Sequence, residues 1–181
     1  MKPRTSLNHP LQIAALDAPG GGRIGMTFCP GKRDPAAMTG PWDRDLDTDL
    51  DAIVAWGASA LVTLMEGHEL AHLGVAHIGE ASRDRGLGWY HLPIRDFSVP
   101  SDLFEQQWLD TGEALRARLA RNESIVVHCK GGLGRTGLVA ARLLIELGET
   151  PGRALARVRA VRVGAVETAE QVAYLLGITA L

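Results

Sequence analysis

The sequence is poor in several features that whole classes of protein require. Among its 181 residues there are only two cysteines, aromatic residues make up 5% of the chain, and the formal net charge is only -2. Two cysteines cannot build the disulfide framework of a small secreted domain, so we expect a reducing, cytoplasmic setting. The near balance of charge argues against a nucleic-acid-binding surface, which would need clustered excess lysine and arginine.

Long apolar runs are also missing. No segment approaches the roughly 20 apolar residues that span a bilayer, and the N-terminal segment lacks the apolar core of a signal peptide. The length suits one domain. We therefore expect a soluble protein with no membrane partner. Because the first segment ends in the run Pro19–Gly22, residues 1–21 are predicted to be an N-terminal arm and residues 22–181 the domain.

The most informative stretch is HCKGGLGRTG, which occupies residues 128–137. It follows the β-branched run Ser124–Val127 and precedes the apolar run Leu138–Leu147, which gives the order strand, glycine-rich turn, helix. A turn of this kind presents backbone N–H groups to an anion at the positive end of a helix. We interpret the stretch as a phosphate-binding loop with a thiol at its base.

Each residue type in this loop has a chemical task. The helix terminus and the free amides favour the thiolate of Cys129, which would then be a nucleophile. Arg135 can hold two phosphoryl oxygens with its planar guanidinium. Two further roles are hypotheses: Thr136 donates a hydrogen bond to the sulfur, and His128 orients the loop by hydrogen bonding to the loop backbone. The predicted phosphate-binding residues are Lys130, Gly131, Gly132, Leu133, Gly134 and Arg135.

The loop resembles the signature of the cysteine-dependent protein tyrosine and dual-specificity phosphatases. The segments RIGMTFCPGKR, LVTLMEGHEL, LPIRD and GAVETAEQ follow the order of the kinase-associated phosphatase (cyclin-dependent kinase inhibitor 3) branch, so the resemblance covers residues 22–178. It implies an α/β fold in a single domain, with a central, mostly parallel sheet flanked by helices. It also implies a phosphocysteine intermediate, without a metal or an organic cofactor.

The resemblance assigns a general acid as well. The matching residue is Asp96, in the loop bounded by Pro93 and Pro100. The chemistry needs such a group, because expelling an alkoxide or phenolate without a proton is slow, and a positioned acid contributes about 10²–10⁴-fold. Asp102 is the fallback, although we interpret it and Ser101 as helix caps.

A later segment matches the part of the family that positions water for the second step. Gln171 agrees with the family pattern and is predicted to be catalytic, whereas Glu167 stands where family members commonly have glutamine. This departure puts the water-handling role of Glu167 in doubt. Thr168 and Gln171 also have the spacing of a capping box, which is the structural alternative for Gln171.

The sequence HELAH at residues 68–72 is a rival signal. On a helix it places His68 and His72 one turn apart as zinc ligands, with Glu69 as the base of a metalloprotease. His77 and Gly74 each lie one position too early for the longer zinc motif. We therefore favour solvated or capping histidines and expect no metal site.

Several alternatives remain open from sequence alone. The expected substrate is a phosphorylated protein or peptide carrying phosphotyrosine, with phosphoserine or phosphothreonine as a further option. Lys130 beside Cys129 keeps a phosphoinositide open, although Leu133 stands where such enzymes often place a second lysine. A non-enzymatic phospho-binding module is the third alternative. Cys29 could form a reversible disulfide with Cys129, but an inert buried cysteine is the preferred interpretation.

Four arginines near the C-terminus are predicted to form a solvated basic face, with the steering of a phosphorylated substrate as the alternative. They are Arg153, Arg157, Arg159 and Arg162.

Overall fold

The computed structural model describes residues 2–181 and contains seven strands and seven helices within that range. The strands are β1 (Ala14–Asp17), β2 (Arg23–Phe28), β3 (Arg33–Asp34), β4 (Trp42–Asp43), β5 (Ala58–Thr63), β6 (Gly88–His91) and β7 (Ser124–Cys129). The helices are α1 (Leu46–Ala55), α2 (Gly67–His72), α3 (Ile78–Arg83), α4 (Asp102–Ala120), α5 (Gly134–Glu146), α6 (Pro151–Val161) and α7 (Ala169–Leu176).

Five strands form one sheet in the order β1-β2-β7-β5-β6, in which every neighbouring pair except β1 and β2 is parallel. The central strand β7 is buried along its whole length. A continuous apolar run is what a strand covered on both faces requires. The α/β fold with a mostly parallel central sheet is therefore confirmed.

The helix that follows β7 is also enclosed. All thirteen residues of α5 are buried, so this helix lies inside the domain beside the sheet. In the sheet, Phe28 pairs with Cys129 and Thr63 pairs with His128. The carboxyl ends of β2, β7 and β5 therefore meet at one edge, which is where parallel α/β sheets place their binding sites.

The predicted arm at residues 1–21 is wrong in its boundary. Strand β1 lies within it and pairs antiparallel with β2, with Ala14 opposite Met26. The Thr27 hydroxyl also donates to the Gln12 carbonyl at 2.8 Å. The glycine run at the predicted domain border is the turn between β1 and β2, so the sheet begins before residue 22.

Helix α1 buries Leu46, Leu50 and Ile53 on one face. Its first turn is capped by Asp45, whose side chain accepts from the Thr48 amide at 2.8 Å. Within residues 2–181, no helix combines the length and the apolar character needed to cross a bilayer.

Candidate active site

The loop between β7 and α5 turns sharply, and one glycine in it is sterically required. Gly132 has φ +69°, and a Cβ atom there would lie 2.5 Å from the carbonyl carbon of Thr27. A side chain at this position would meet both a left-handed backbone and a neighbouring strand. The loop can therefore pass directly over the end of β2.

The carbonyl groups of the loop are held away from its interior. Arg162 donates to the carbonyls of Gly131 at 3.0 Å and Gly132 at 3.1 Å, and the Leu133 carbonyl accepts from the Gly137 amide at 2.8 Å. The amides of Gly131, Gly132 and Leu133 donate to no group in the described part of the chain. These free N–H groups directly precede the N-terminus of α5, a position that suits an oxyanion.

Cys129 lies at the base of this loop and is only 4% exposed, but it opens onto a cavity of about 530 Å³. The cavity is bounded by the loop, by the segment after β6 and by aromatic side chains from β2 and β4. Other residues in its wall include Phe28, Lys32, Trp42, Asp96, Phe97, Lys130, Leu133, Arg162 and Glu167. The thiol is thus reachable from this cavity.

Arg135 is 1% exposed and makes a dense set of contacts through its two terminal nitrogens. Nη1 donates to the Glu69 carboxylate at 2.7 Å and to the Ile94 carbonyl at 3.0 Å. Nη2 donates to the same carboxylate at 3.0 Å and lies 3.0 Å from Asp96 Oδ1. Its Nε–H is buried without a partner among residues 2–181. Burial lowers the pKa of Arg135, but the hydrogen bonds to Glu69 and the nearby negative charges outweigh it, so its pKa is raised.

Asp96 stands on the loop after β6 and faces Arg135 from the cavity side. Its side chain is 47% exposed, and Oδ1 accepts from the Phe97 amide at 3.1 Å. Phe97 has φ +58°, a conformation that is uncommon for an aromatic residue. The carboxyl group therefore reaches the same cavity as Cys129 through a tight turn.

His128 is fully buried beneath the loop. Its Nε2 lies 2.8 Å from Thr63 Oγ1, which also accepts from Trp89 Nε1 at 2.9 Å. Burial lowers the pKa of His128 to about 3, so the imidazole is neutral at physiological pH. The hydrogen bond to Thr63 joins β7 to β5, so His128 links the base of the loop to the neighbouring strand.

The arrangement of the site agrees with a known protein family. A family model described as a polymorphic toxin system DSP-PTPase phosphatase matches residues 36–149, which is more than half of the chain and includes Asp96, Cys129 and Arg135. The chain belongs to the DSP-PTPase phosphatase family. The resemblance to cysteine-dependent tyrosine and dual-specificity phosphatases is confirmed.

Individual relatives agree with the family assignment. Cyclin-dependent kinase inhibitor 3 of Rattus norvegicus is 31% identical over 135 residues, which cover 73% of this chain and 62% of that protein. The chain thus spans somewhat less than two thirds of the length of this relative. Kinase-associated phosphatase, solved with its catalytic-site cysteine replaced by serine, superposes with a TM-score of 0.80 at 26% identity, covering 92% of each chain. Tk-PTP in its active form gives a TM-score of 0.65 at 31% identity, covering 90% of this chain and 95% of that one.

Within this DSP-PTPase domain, two predicted roles are corrected. The Thr136 hydroxyl is buried on the first turn of α5 but has no hydrogen-bond partner in residues 2–181, so the predicted bond to the sulfur is not formed. Gln171 is fully buried and does not line the cavity, and both ends of its amide are hydrogen-bonded to the backbone. Its Oε1 accepts from the amides of Glu167 at 2.9 Å and Thr168 at 3.3 Å, and its Nε2 donates to the Ser98 carbonyl at 3.1 Å.

Gln171 is therefore a positioning residue. It completes the predicted capping box of α7 with Thr168 and fastens that helix to the loop that carries Asp96. Glu167 does reach the cavity, where its carboxylate accepts from the Gly134 amide at 2.8 Å. A Cβ atom on Gly134 would lie 2.4 Å from that carboxylate oxygen, which accounts for the glycine at the start of α5.

The zinc interpretation of HELAH conflicts with the structure, because the Glu69 carboxylate is engaged by Arg135. Burial raises the pKa of Glu69, but the hydrogen bonds from Arg135 and from the Glu66 amide outweigh it and lower its pKa. His68 and His72 are exposed on α2, and residues 2–181 contain no group of three ligand side chains suited to a metal ion.

The two cysteines stand at the ends of neighbouring strands. Phe28 is the residue opposite Cys129, and paired residues project to the same side of a sheet, so the next residue, Cys29, projects to the other side. Its thiol lies in the core, 3.5 Å from the Pro30 carbonyl, and burial raises its pKa well above the usual range. This arrangement supports the inert buried cysteine.

Three residues of the site were not predicted from the sequence. Glu69 was expected only in a zinc site, and Lys32 had no predicted role. Arg162 was expected on a solvated face, but it holds the loop carbonyls. Arg159 is exposed, as the basic-face prediction requires, and it also donates to the carbonyls of Ala165 at 3.0 Å and Val166 at 2.9 Å. The signal for Lys32 was its place in the CPGKR segment directly after β2.

Proposed function

We propose that this protein is a phosphatase that hydrolyses phosphate monoesters on proteins, chiefly phosphotyrosine and also phosphoserine or phosphothreonine, through a phosphocysteine intermediate. The observation that supports it most directly is one cavity that contains the Cys129 thiol, the Asp96 carboxyl group and the loop with its free amides. The substrate would be a phosphorylated protein or peptide.

In the first step, the Cys129 thiolate attacks the phosphorus atom and forms the S–P bond as the P–O bond to the leaving group breaks. The leaving oxygen takes the proton of Asp96. The three equatorial oxygens carry the spread negative charge of the transition state. The amides of Gly131, Gly132 and Leu133 and the free Nε–H of Arg135 are the donors available to them.

In the second step, water attacks the phosphocysteine while Asp96, now a carboxylate, accepts its proton. The S–P bond breaks, inorganic phosphate leaves and the thiolate is restored. The Glu167 carboxylate lines the same cavity, so water approaching the intermediate passes between two acidic side chains. No step requires a metal or an organic cofactor.

Support for a protein substrate comes from the relatives and from the cavity. The related proteins named above are described as a kinase-associated phosphatase and a PTP, and the cavity of about 530 Å³ is large enough for a phosphorylated aromatic side chain. The exposed side chains of Met38 and Phe97 lie at its wall and offer apolar contact to a polypeptide.

The test is turnover of p-nitrophenyl phosphate by the wild type and two variants. We expect Cys129→Ser to abolish turnover while still binding phosphate, and Asp96→Ala to lower kcat by about 10²-fold or more. Asp102→Ala is the matched control, because this exposed aspartate lies on the first turn of α4, and it should behave like the wild type.

Each alternative predicts a different result. A phospho-binding module would bind phosphate without turnover in the wild type, and a metal-dependent hydrolase would lose activity with chelator. Turnover that persists in Cys129→Ser would rule out the phosphocysteine mechanism, and equal losses in Asp96→Ala and Asp102→Ala would rule out Asp96 as the acid.

A further inference from the structure

Lys32 is a buried cation in the wall of the active-site cavity. It follows β2 and is 6% exposed. Its Nζ atom lies 3.9 Å from the centroid of the Trp42 ring and 4.9 Å from that of Phe28. It is also 3.4 Å from the carbonyl oxygen of Lys130, the residue next to Cys129. The ammonium group is therefore held by aromatic faces at one side of the phosphate loop.

The segment that carries Lys32 is fixed on both sides. The Gly31 amide donates to Asp49 Oδ2 at 2.8 Å, and the Cys29 amide donates to the Lys130 carbonyl at 3.3 Å. Asp49 is itself held by two hydrogen bonds of 2.8 Å from Arg44, which is buried. Because this support is rigid, the ammonium group is positioned before any substrate arrives.

Lys32 has no acidic partner in the described part of the chain. Its ammonium group makes no ion pair, whereas the neighbouring Lys130 pairs with Asp34 at 3.3 Å. Burial lowers the pKa of Lys32 to about 8, so it is still mostly charged at neutral pH. A buried charge without a direct ion pair is costly to folding, and such a group is usually retained for a ligand of opposite charge.

We infer that Lys32 determines substrate specificity by binding a second anionic group close to the scissile phosphate. The substrate is then a phosphopeptide with an acidic or phosphorylated residue beside the phosphorylated one. This inference rests on the proposed phosphatase function and adds the substrate class to it. Cation–π contacts with Trp42 and Phe28 hold the ammonium group, and its remaining N–H donors are available to the anion.

The charge of the whole chain favours a peptide over a lipid surface. Enzymes that work on anionic membranes carry basic clusters, each cation adding to the attraction. Here the net charge is -2, and the other two cations of the cavity wall are engaged, Lys130 by Asp34 and Arg162 by two loop carbonyls. Among the described residues of this wall, Lys32 is therefore the one available cation, and a single cation suits one extra acidic group in a peptide.

The experiment compares two phosphotyrosine peptides, one with glutamate and one with alanine on each side of the phosphotyrosine. The measured quantity is the ratio of their kcat/KM values, which cancels changes in the chemical step common to both. In the wild type we expect the glutamate peptide to be preferred about tenfold or more, mainly through KM. Lys32→Met should bring the ratio near one, and Lys32→Arg should restore part of it.

Arg153→Met is the matched control, because this cation is exposed and lies on α6; it should keep the wild-type ratio. A second readout needs no variant: the preference of the wild type should decline as pH rises above about 8. The titratable groups that face the ammonium are the neutral Cys29 thiol and the charged side chains of Asp34, Arg44 and Lys130, and the glutamates of the peptide stay ionised throughout.

The outcomes separate the two proposals. If neither peptide is turned over, the proposed function fails. If both are turned over with a ratio near one in the wild type, or if Lys32→Met lowers both values equally, the specificity role of Lys32 is wrong. Vesicles containing a phosphatidylinositol monophosphate form a third arm: a higher kcat/KM for this lipid than for the acidic peptide, lost in Lys32→Met, would replace the peptide by a lipid headgroup.

Discussion

Helix α5 carries two buried arginines, Arg135 at its start and Arg142 near its end, and their surroundings differ. Arg142 Nε donates to Glu146 at 2.8 Å, and Nη1 donates to Glu105 at 2.9 Å and also contacts the Tyr174 hydroxyl. Within residues 2–181, no buried nitrogen of Arg142 lacks a partner. Arg135, by contrast, leaves its Nε–H unpaired and shares another nitrogen with an exposed aspartate.

The contrast extends to the neighbours of both residues. Four buried side-chain atoms in the described part of the chain have no hydrogen-bond partner, and three of them belong to His128, Arg135 and Thr136. Buried polar groups in a folded protein are normally paired, so a concentration of unpaired ones marks a place where stability is sacrificed for binding. The Arg142 end of α5 stabilises the fold, whereas the Arg135 end is arranged for a ligand.

The largest effect is expected from Arg142→Met. Removing a partner from a buried ion-pair network leaves uncompensated carboxylates, which costs about 3–5 kcal/mol. Glu146 keeps its bonds from Trp108 and Arg116, which places the loss toward the lower end of that range. Denaturant unfolding measures the loss, while kcat/KM per folded molecule should stay at the wild-type value. A catalytic defect without destabilisation would contradict the division of roles between the two arginines.

Arg135→Lys should show the opposite behaviour. Lysine keeps the charge but loses the planar guanidinium, which binds Glu69, Asp96 and the substrate at the same time. We therefore expect kcat/KM to fall about 10²–10³-fold. Arg142→Lys is the matched control on the same helix and should retain most activity. The comparison is measured with p-nitrophenyl phosphate at saturating and limiting concentrations. Similar activities for Arg135→Lys and Arg142→Lys would contradict the assignment of a functional role to Arg135 and a structural role to Arg142.

The smallest effect concerns Lys32 and depends on pH. Its pKa is about 8 in the folded protein, against 10.5 for an ordinary lysine side chain, so unfolding takes up a proton when the pH lies between these values. The folding penalty is complete below pH 8 and disappears as pH rises toward 10.5. Lys32→Met should therefore be more stable than the wild type by about 1–3 kcal/mol at pH 7, and the gap should narrow above about pH 8. Thermal unfolding across this range provides the measurement, and a variant that is less stable at about pH 7 would show that the buried ammonium does not destabilise the fold.

The predictions that succeeded rest on signals that are local in the chain. Cys129, the glycines and Arg135 lie within seven consecutive residues, and their order between an apolar strand and an apolar helix predicts the turn and its direction. The same is true of the capping box at Thr168 and Gln171, where the structural alternative is correct. The catalytic role of Gln171 came from resemblance alone, and its amide is already used by Ser98 and by the cap.

The sequence by itself determined that a thiol lies between a strand and a helix, because the backbone of this loop has few other conformations available. Only the tertiary structure decided which distant groups complete the site. Glu69 and Arg135 are 66 positions apart, and Lys32 and Lys130 are 98 apart. Contacts of this kind depend on strand order and burial, which set the charge and hydrogen bonding of a side chain and leave no periodic trace along the sequence.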